Sequence, residues 1–253
     1  MEDALKALNA EQVHIGIFDL DGRHKLVGAD KAVKLAADGY QFCDVLYGWD
    51  SAEKTYSDLT PYIDRPCFID PDSIRQYPFG QGSAIAIADF ERAFGDMSPR
   101  NQLLKMIEKA ANLGFDVLSA FEFEFFLLQE TPDMLREMAF RNLNHFAKAN
   151  RTYSLQSAVL YEEIFSSLKS TMRRMGIEMD SIHTEFGPGC FEVPLAVAPG
   201  ARAADNAALF KNFTKACPRR TNRCVGWEIA KLVGPRRRLR RLSAPNAPPR
   251  RLG

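Results

Sequence analysis

The sequence predicts an α+β fold, on three observations: a period-two hairpin near the amino terminus, capped amphipathic helices in the second half, and strands dispersed among them without an internal repeat. Residues 13–20 (Val-His-Ile-Gly-Ile-Phe-Asp-Leu) read as a strand, Asp21-Gly22 as a hairpin turn, and Lys25-Leu26-Val27 as the partner strand. Residues 30–37 form a short amphipathic helix ended by Gly39, and residues 42–46 return as a strand. Residues 67–69 and 83–88 supply further strands, separated by the turn-rich Asp70-Pro71-Asp72 and Phe79-Gly80-Gln81-Gly82. Together these elements predict a small first domain over residues 1–95.

The rhythm changes at Ser98-Pro99, a helix cap followed by proline at the first helical position, after which Leu103, Leu104, Ile107 and Ala111 share one face. A second domain is expected over residues 96–216. Its first helix stops at Gly114, and residues 117–128 read as one long strand rich in phenylalanine. Helices are expected at 134–146 and 161–175, strands on either side of Gly187-Pro188-Gly189, and a last helix at 201–215. From Ala216 the periodicity stops. Residues 217–253 hold five prolines and clustered arginines, and a disordered Arg/Pro-rich tail is expected there.

With 46% hydrophobic and 26% charged residues, the chain is neither disordered by composition nor membrane-like. No apolar run reaches the roughly 18 residues of a bilayer span, so no membrane partner is expected. The opening Met1-Glu2-Asp3-Ala4-Leu5-Lys6 lacks the blocks of a signal peptide, which leads to the expectation of a cytoplasmic protein. The cysteines (Cys43, Cys67, Cys190, Cys217, Cys224) contain no C-x-x-C pair. The histidines (His14, His24, His145, His183) contain no H-x-x-x-H or H-E-x-x-H pattern, so a metal site is expected to be built on carboxylates. Charge is unevenly spread: residues 218–253 carry eleven Arg and Lys against the single acid Glu228, leaving −9 on the first 217 residues.

Two constellations could carry chemistry. In Phe121-Glu122-Phe123-Glu124-Phe125-Phe126 the strand period puts both glutamates on one face and three phenylalanines on the other. Neighbouring like charges on a strand repel, and a divalent cation would offset that cost; a solvated strand face is the alternative. In His183-Thr184-Glu185-Phe186-Gly187-Pro188-Gly189-Cys190-Phe191-Glu192 a tight turn can bring Glu185 and Glu192 onto adjacent strands. Four carboxylates could then converge on Mg²⁺ or Mn²⁺, which prefer oxygen ligands; a surface hairpin with scattered acids is the competing reading.

These two segments resemble the paired metal-binding segments of glutamine synthetases, in the same order and separation. Supporting matches are Phe42-Cys43-Asp44-Val45, Gly48-Trp49-Asp50-Ser51, Ala88-Asp89-Phe90, and residues 203–211 (Ala-Ala-Asp-Asn-Ala-Ala-Leu-Phe-Lys). The resemblance covers residues 10–216. It implies a β-grasp-like amino-terminal domain and a glutamine synthetase-type catalytic domain with an antiparallel sheet and flanking helices. It further implies a homo-oligomer whose active sites form between neighbouring subunits. By resemblance Glu124, Glu185 and Glu192 hold the metal beside the acceptor carboxylate, and Glu122 a metal nearer the ATP phosphates. Asp50 matches the acid that reaches into the adjacent subunit and deprotonates the incoming ammonia or amine, although by itself it reads as a turn cap beside Ser51. The implied activity is ATP-dependent amidation of glutamate through γ-glutamyl phosphate, with Mg²⁺ or Mn²⁺ as cofactor and ammonia or a primary amine as acceptor.

The family's later histidine, arginine and glutamate motifs have no counterpart after residue 216. The tail resembles out-of-frame translation of a GC-rich gene, and a partial catalytic domain that is weakly active or inactive is the expectation. A non-catalytic relative kept as a binding or structural protein is the alternative. Nucleic-acid binding through the tail ranks last, because Trp227 is its only aromatic and it carries no recognition motif.

Overall fold

A computed structural model describes residues 1–19, 21–56, 62–91, 95–147, 151–219, 224–230 and 238–241, the last two segments and residues 217–219 as backbone. The amino-terminal half runs α1 (Glu2–Ala7), β1 (Gln12–Ile17), β2 (Arg23–Gly28), α2 (Ala29–Lys34), β3 (Tyr40–Cys43), β4 (Asp64–Ile69), β5 (Arg75–Gln76) and β6 (Ser83–Phe90). Its sheet has the order β2-β1-β6-β4-β3, with β5 pairing β6 as well. β1 lies parallel to β6 and the other pairs are antiparallel.

The hairpin forms where the sequence places it. Asp19 Oδ1 accepts hydrogen bonds from the backbone N–H groups of Asp21 and Gly22, and Gly22 takes φ +97°, which only glycine adopts without strain. All eight residues of β6 are buried. Its alternation serves two cores: Ala84, Ala86, Ala88 and Phe90 join Val13, Ile15, Ile17 and Phe42, while Ile85 and Ile87 face Phe125, Phe191 and Phe210. A strand buried on both faces reads as a continuous apolar run. The strand expected at 42–46 ends instead at Cys43, because the buried Asp44 carboxylate accepts from Ile63 N–H and Arg65 Nε and turns the chain into a 3₁₀ segment, Asp44–Tyr47.

The second half continues with α3 (Pro99–Asn112), β7 (Phe115–Ser119), β8 (Glu122–Leu128), α4 (Pro132–Glu137), α5 (Leu155–Leu160), α6 (Glu162–Arg174), β9 (His183–Thr184), β10 (Cys190–Pro194), β11 (Ala198–Pro199), α7 (Arg202–Arg219), β12 (Cys224–Ala230) and β13 (Arg238–Arg241). Ser98 caps α3 through Asn101 N–H and also donates to the buried Asp89 carboxylate at the end of β6; burial pushes the Asp89 carboxyl above the usual range. The long strand expected at 117–128 is two strands. They belong to different sheets, β11-β7-β13 and β12-β8-β10-β9, and the break at Ala120-Phe121 is where the antiparallel partners diverge.

The helix expected at 134–146 stops at Glu137. Glu130 Oε1 accepts from both Asn144 N–H and Asn144 Nδ2, and Phe146 N–H donates to Leu127, so residues 144–146 are drawn back along β8. Ala139, Phe140 and Asn142 take positive φ on the way. The two short helices α1 and α5 were not expected. In the region read as a disordered tail, α7 continues to Arg219, β12 pairs with β8 and β13 with β7. The rest of 217–253 lies outside the described residues. No helix among the described residues is long and apolar enough to cross a membrane.

Candidate metal centre

Three strands set the site. Across β8 and β10 Glu124 stands opposite Glu192, and across β10 and β9 Glu192 stands opposite His183. Directly opposed residues share a face, so Glu124, Glu192 and His183 form one row across the sheet. Phe125, Phe191 and Val193 point the other way into the core. The row thus sits on a rigid, densely packed support.

Glu185 enters from the turn. Its N–H donates to Cys190 O and continues the ladder past β9, and Gly187 and Gly189 take φ +120° and +77° to close the loop. A Cβ at Gly189 would stand 3.1 Å from the His145 Cβ, so a side chain would be crowded there as well. The result is that His183, Glu185 and Glu192 bring ligand atoms within 4.8 Å of one another. His183 Nδ1 lies 3.7 Å from Glu185 Oε2, and Nε2 lies 3.8 Å from Glu192 Oε2. Both are too long for hydrogen bonds.

Electrostatics show an unbalanced group. Burial raises the Glu192 carboxyl above the ordinary glutamate range; His183 opposes this, while the charges of Glu185 and Glu124 add to it. Burial and the same three glutamates push the Cys190 thiol up to about 12, so it stays protonated and is no nucleophile. Glu185 Oε2 is buried without a hydrogen-bond partner. A buried carboxylate oxygen without a donor is costly, and a divalent cation relieves that cost. The two carboxylates suit a hard cation such as Mg²⁺ or Mn²⁺, the imidazole favours the softer Mn²⁺ of the two, and their spread is somewhat wider than the about 4 Å that two ligands span across such an ion.

The structure thus brings Glu185 and Glu192 together with Glu124 beside them, and places Glu122 two residues along the same face, opposite Pro194. Asp50 is not in the group. Its Oδ1 accepts from the N–H groups of Ala52 and Lys54, which is the turn-cap geometry. His183 stands in the same cluster, a residue that the sequence reading placed in this segment without giving it a ligand role. The signal was in the sequence: His183 and Glu185 are two apart on an extended chain, hence on one side. Tyr153 was also missed; its ring centroid lies 4.6 Å from that of His183, and Thr184 O and Arg151 O fix the local turn.

The model of the glutamine synthetase catalytic domain matches residues 96–227, just over half of the chain. This chain belongs to the glutamine synthetase family. The match extends past Ala216 and into β12. Among its relatives, a glutamate–isopropylamine ligase from Pseudomonas sp is 31% identical over 227 residues, 85% of this chain and 50% of that protein. A type-1 glutamine synthetase 2 from Dictyostelium discoideum is 29% identical over 222 residues, 83% of this chain and 42% of that protein. Two solved structures share the fold. An apo GmaS without ligand superimposes with a TM-score of 0.72 at 23% identity, over 89% of this chain and 52% of that one. The Plasmodium falciparum glutamine synthetase gives 0.67 at 18% identity, over 89% and 49%. The chain spans about half the length of the curated relatives it matches.

Proposed function

We propose that the protein is a ligase that amidates the γ-carboxylate of glutamate with ammonia or a primary amine, driven by ATP. The observation that carries this reading is the buried, unpartnered Glu185 Oε2 among Glu192, Glu124 and His183, within a chain of this family. The glutamate γ-carboxylate attacks the terminal phosphate of ATP, breaking its bond to the bridging oxygen and releasing ADP. The amine then displaces phosphate from γ-glutamyl phosphate. Mg²⁺ or Mn²⁺ held by Glu185, Glu192 and His183, with Glu124 and Glu122 on the same face, would neutralise the oxygens that repel the nucleophile. Asp50 takes the proton of the incoming ammonium in a neighbouring copy, for which it leaves its local turn.

Two exposed apolar surfaces support such a homo-oligomer. One, Tyr56, Tyr62 and Ile63, lies near Asp50 in sequence; the other, Leu155, Val159, Leu160 and Phe186, lies near the metal cluster, with Phe186 87% exposed. A core built wholly from residues 1–90 supports reading residues 1–95 as one domain, while the other core, made chiefly by residues 125–213, also takes in Ile85 and Ile87. The test is ATP hydrolysis by the purified chain with Mn²⁺, with and without glutamate, and with ammonia or isopropylamine as acceptor. Glutamate-dependent hydrolysis supports the ligase. Saturable Mn²⁺ binding without hydrolysis under any acceptor moves the non-catalytic binding protein to first place.

A further inference from the structure

We propose that Arg75 and Arg100 are positioning residues for the carboxylate site: they fasten the amino-terminal half to α7, and α7 in turn sets the position of β8. The consequence for metal binding rests on the reading given above; the consequence for β8 does not.

Asn206, Phe210 and Phe213 are spaced i, i+4, i+7 and form one stripe of α7. At the start of the stripe Arg75 Nη1 donates to Asn206 Oδ1 at 2.8 Å, with both residues buried. In the middle Phe210, fully buried, packs 4.8 Å from the ring of Phe123, the residue between Glu122 and Glu124. At its end Phe213 lies 5.7 Å from both Tyr77 and Phe79, which follow Arg75 in the chain. The stripe therefore grips the amino-terminal half at both ends and the glutamate-bearing strand between them.

A second clamp reinforces the first. Arg100 donates through Nε and Nη2 to the two oxygens of Asp205, at 2.8 and 2.9 Å, and through Nη2 to Asp70 in the amino-terminal half. Arg202 Nη1 adds a bond to Asp72 O at 2.9 Å. A bidentate guanidinium fixes direction as well as distance. Because the core between clamp and site is packed, a shift of α7 is transmitted through Phe210 to Phe123 rather than absorbed.

The test compares the full chain with Asn206→Ala, Arg100→Gln, Arg100→Lys and Leu5→Ala, at a temperature where circular dichroism shows each folded. Leu5 belongs to the core remote from α7 and controls for lost stability alone. The readouts are hydrogen exchange of the 122–128 amides and Mn²⁺ affinity by electron paramagnetic resonance. Asn206→Ala and Arg100→Gln are expected to speed β8 exchange and to weaken Mn²⁺ about tenfold, as loss of supporting contacts does at metal sites. Arg100→Lys recovers part of both, and Leu5→Ala lowers the melting temperature without either effect. Should Arg100→Gln fail to fold, Asn206→Ala, which removes one hydrogen bond, still decides. Unchanged β8 exchange in Asn206→Ala, or an equal change in Leu5→Ala, overturns the proposal. If the parent binds no Mn²⁺ while β8 exchange responds, the metal reading falls and the positioning role stands.

Discussion

Two clusters of half-buried charge lie within this chain and are resolved in opposite ways. Around Arg100 each carboxylate faces a guanidinium: Asp205 is held at 2.8 Å and Asp70 shares the same donor. On the β8-β10-β9 face the carboxylates of Glu124, Glu185 and Glu192 face one another, with His183 at 3.7 to 3.8 Å. The first cluster is complete with the protein's own atoms. The second has no matching cation of its own, and burial first, with the charges of Glu185 and Glu124 adding to it, makes Glu192 hold its proton more tightly. Matched charge holds shape, while unmatched carboxylates on a rigid sheet leave a place where a cation would be favoured.

The largest expected effect is at Arg100. Arg100→Met leaves Asp70 and Asp205 without their partner, and a loss of about 3–5 kcal/mol is expected in urea unfolding. In the other cluster the sign reverses. Glu192→Gln removes one of the mutually repelling charges and should leave the metal-free chain as stable or more so. It should also abolish the stabilisation of about 2.7 kcal/mol that Mn²⁺ confers on the parent at one hundred times its Kd. Thermal unfolding with and without Mn²⁺ reads both.

Much of this was legible in the sequence, for local reasons. Ser98-Pro99 announced the start of α3, and the alternation of Glu122 and Glu124 with phenylalanine announced a two-faced strand. What stayed hidden depends on distant partners. The break between β7 and β8 reflects which strands pair with each half, β11 and β10, far along the chain. The end of α4 depends on Glu130 capturing Asn144, a side-chain contact that outweighs helix propensity. His183 was visible but overlooked, because histidine patterns were sought at helical spacing and here the spacing is that of a strand.

Ser98→Ala removes a helix cap and a donor to buried Asp89, and about 1–2 kcal/mol should be lost by chemical denaturation. The mildest expected effect is on pH dependence. Burial, then nearby His24, lowers the His14 pKa, and its ring stacks on Tyr77 at 3.8 Å. Since the folded value is the lower one, the unfolded state takes up protons first. Stability from His14 is present above the ordinary histidine value of about 6.5 and is lost as pH falls through the folded value. His14→Gln should flatten the melting-temperature profile between about pH 7.5 and 5.

Mn²⁺ binding to the purified chain, followed by electron paramagnetic resonance with Glu185→Gln beside the parent, tests the metal centre directly. Saturable binding in the parent that is lost in Glu185→Gln, with both chains folded, is the predicted result. Equal binding in the two, or none in the folded parent, would contradict the assignment of the Glu185, Glu192 and His183 cluster as a metal centre.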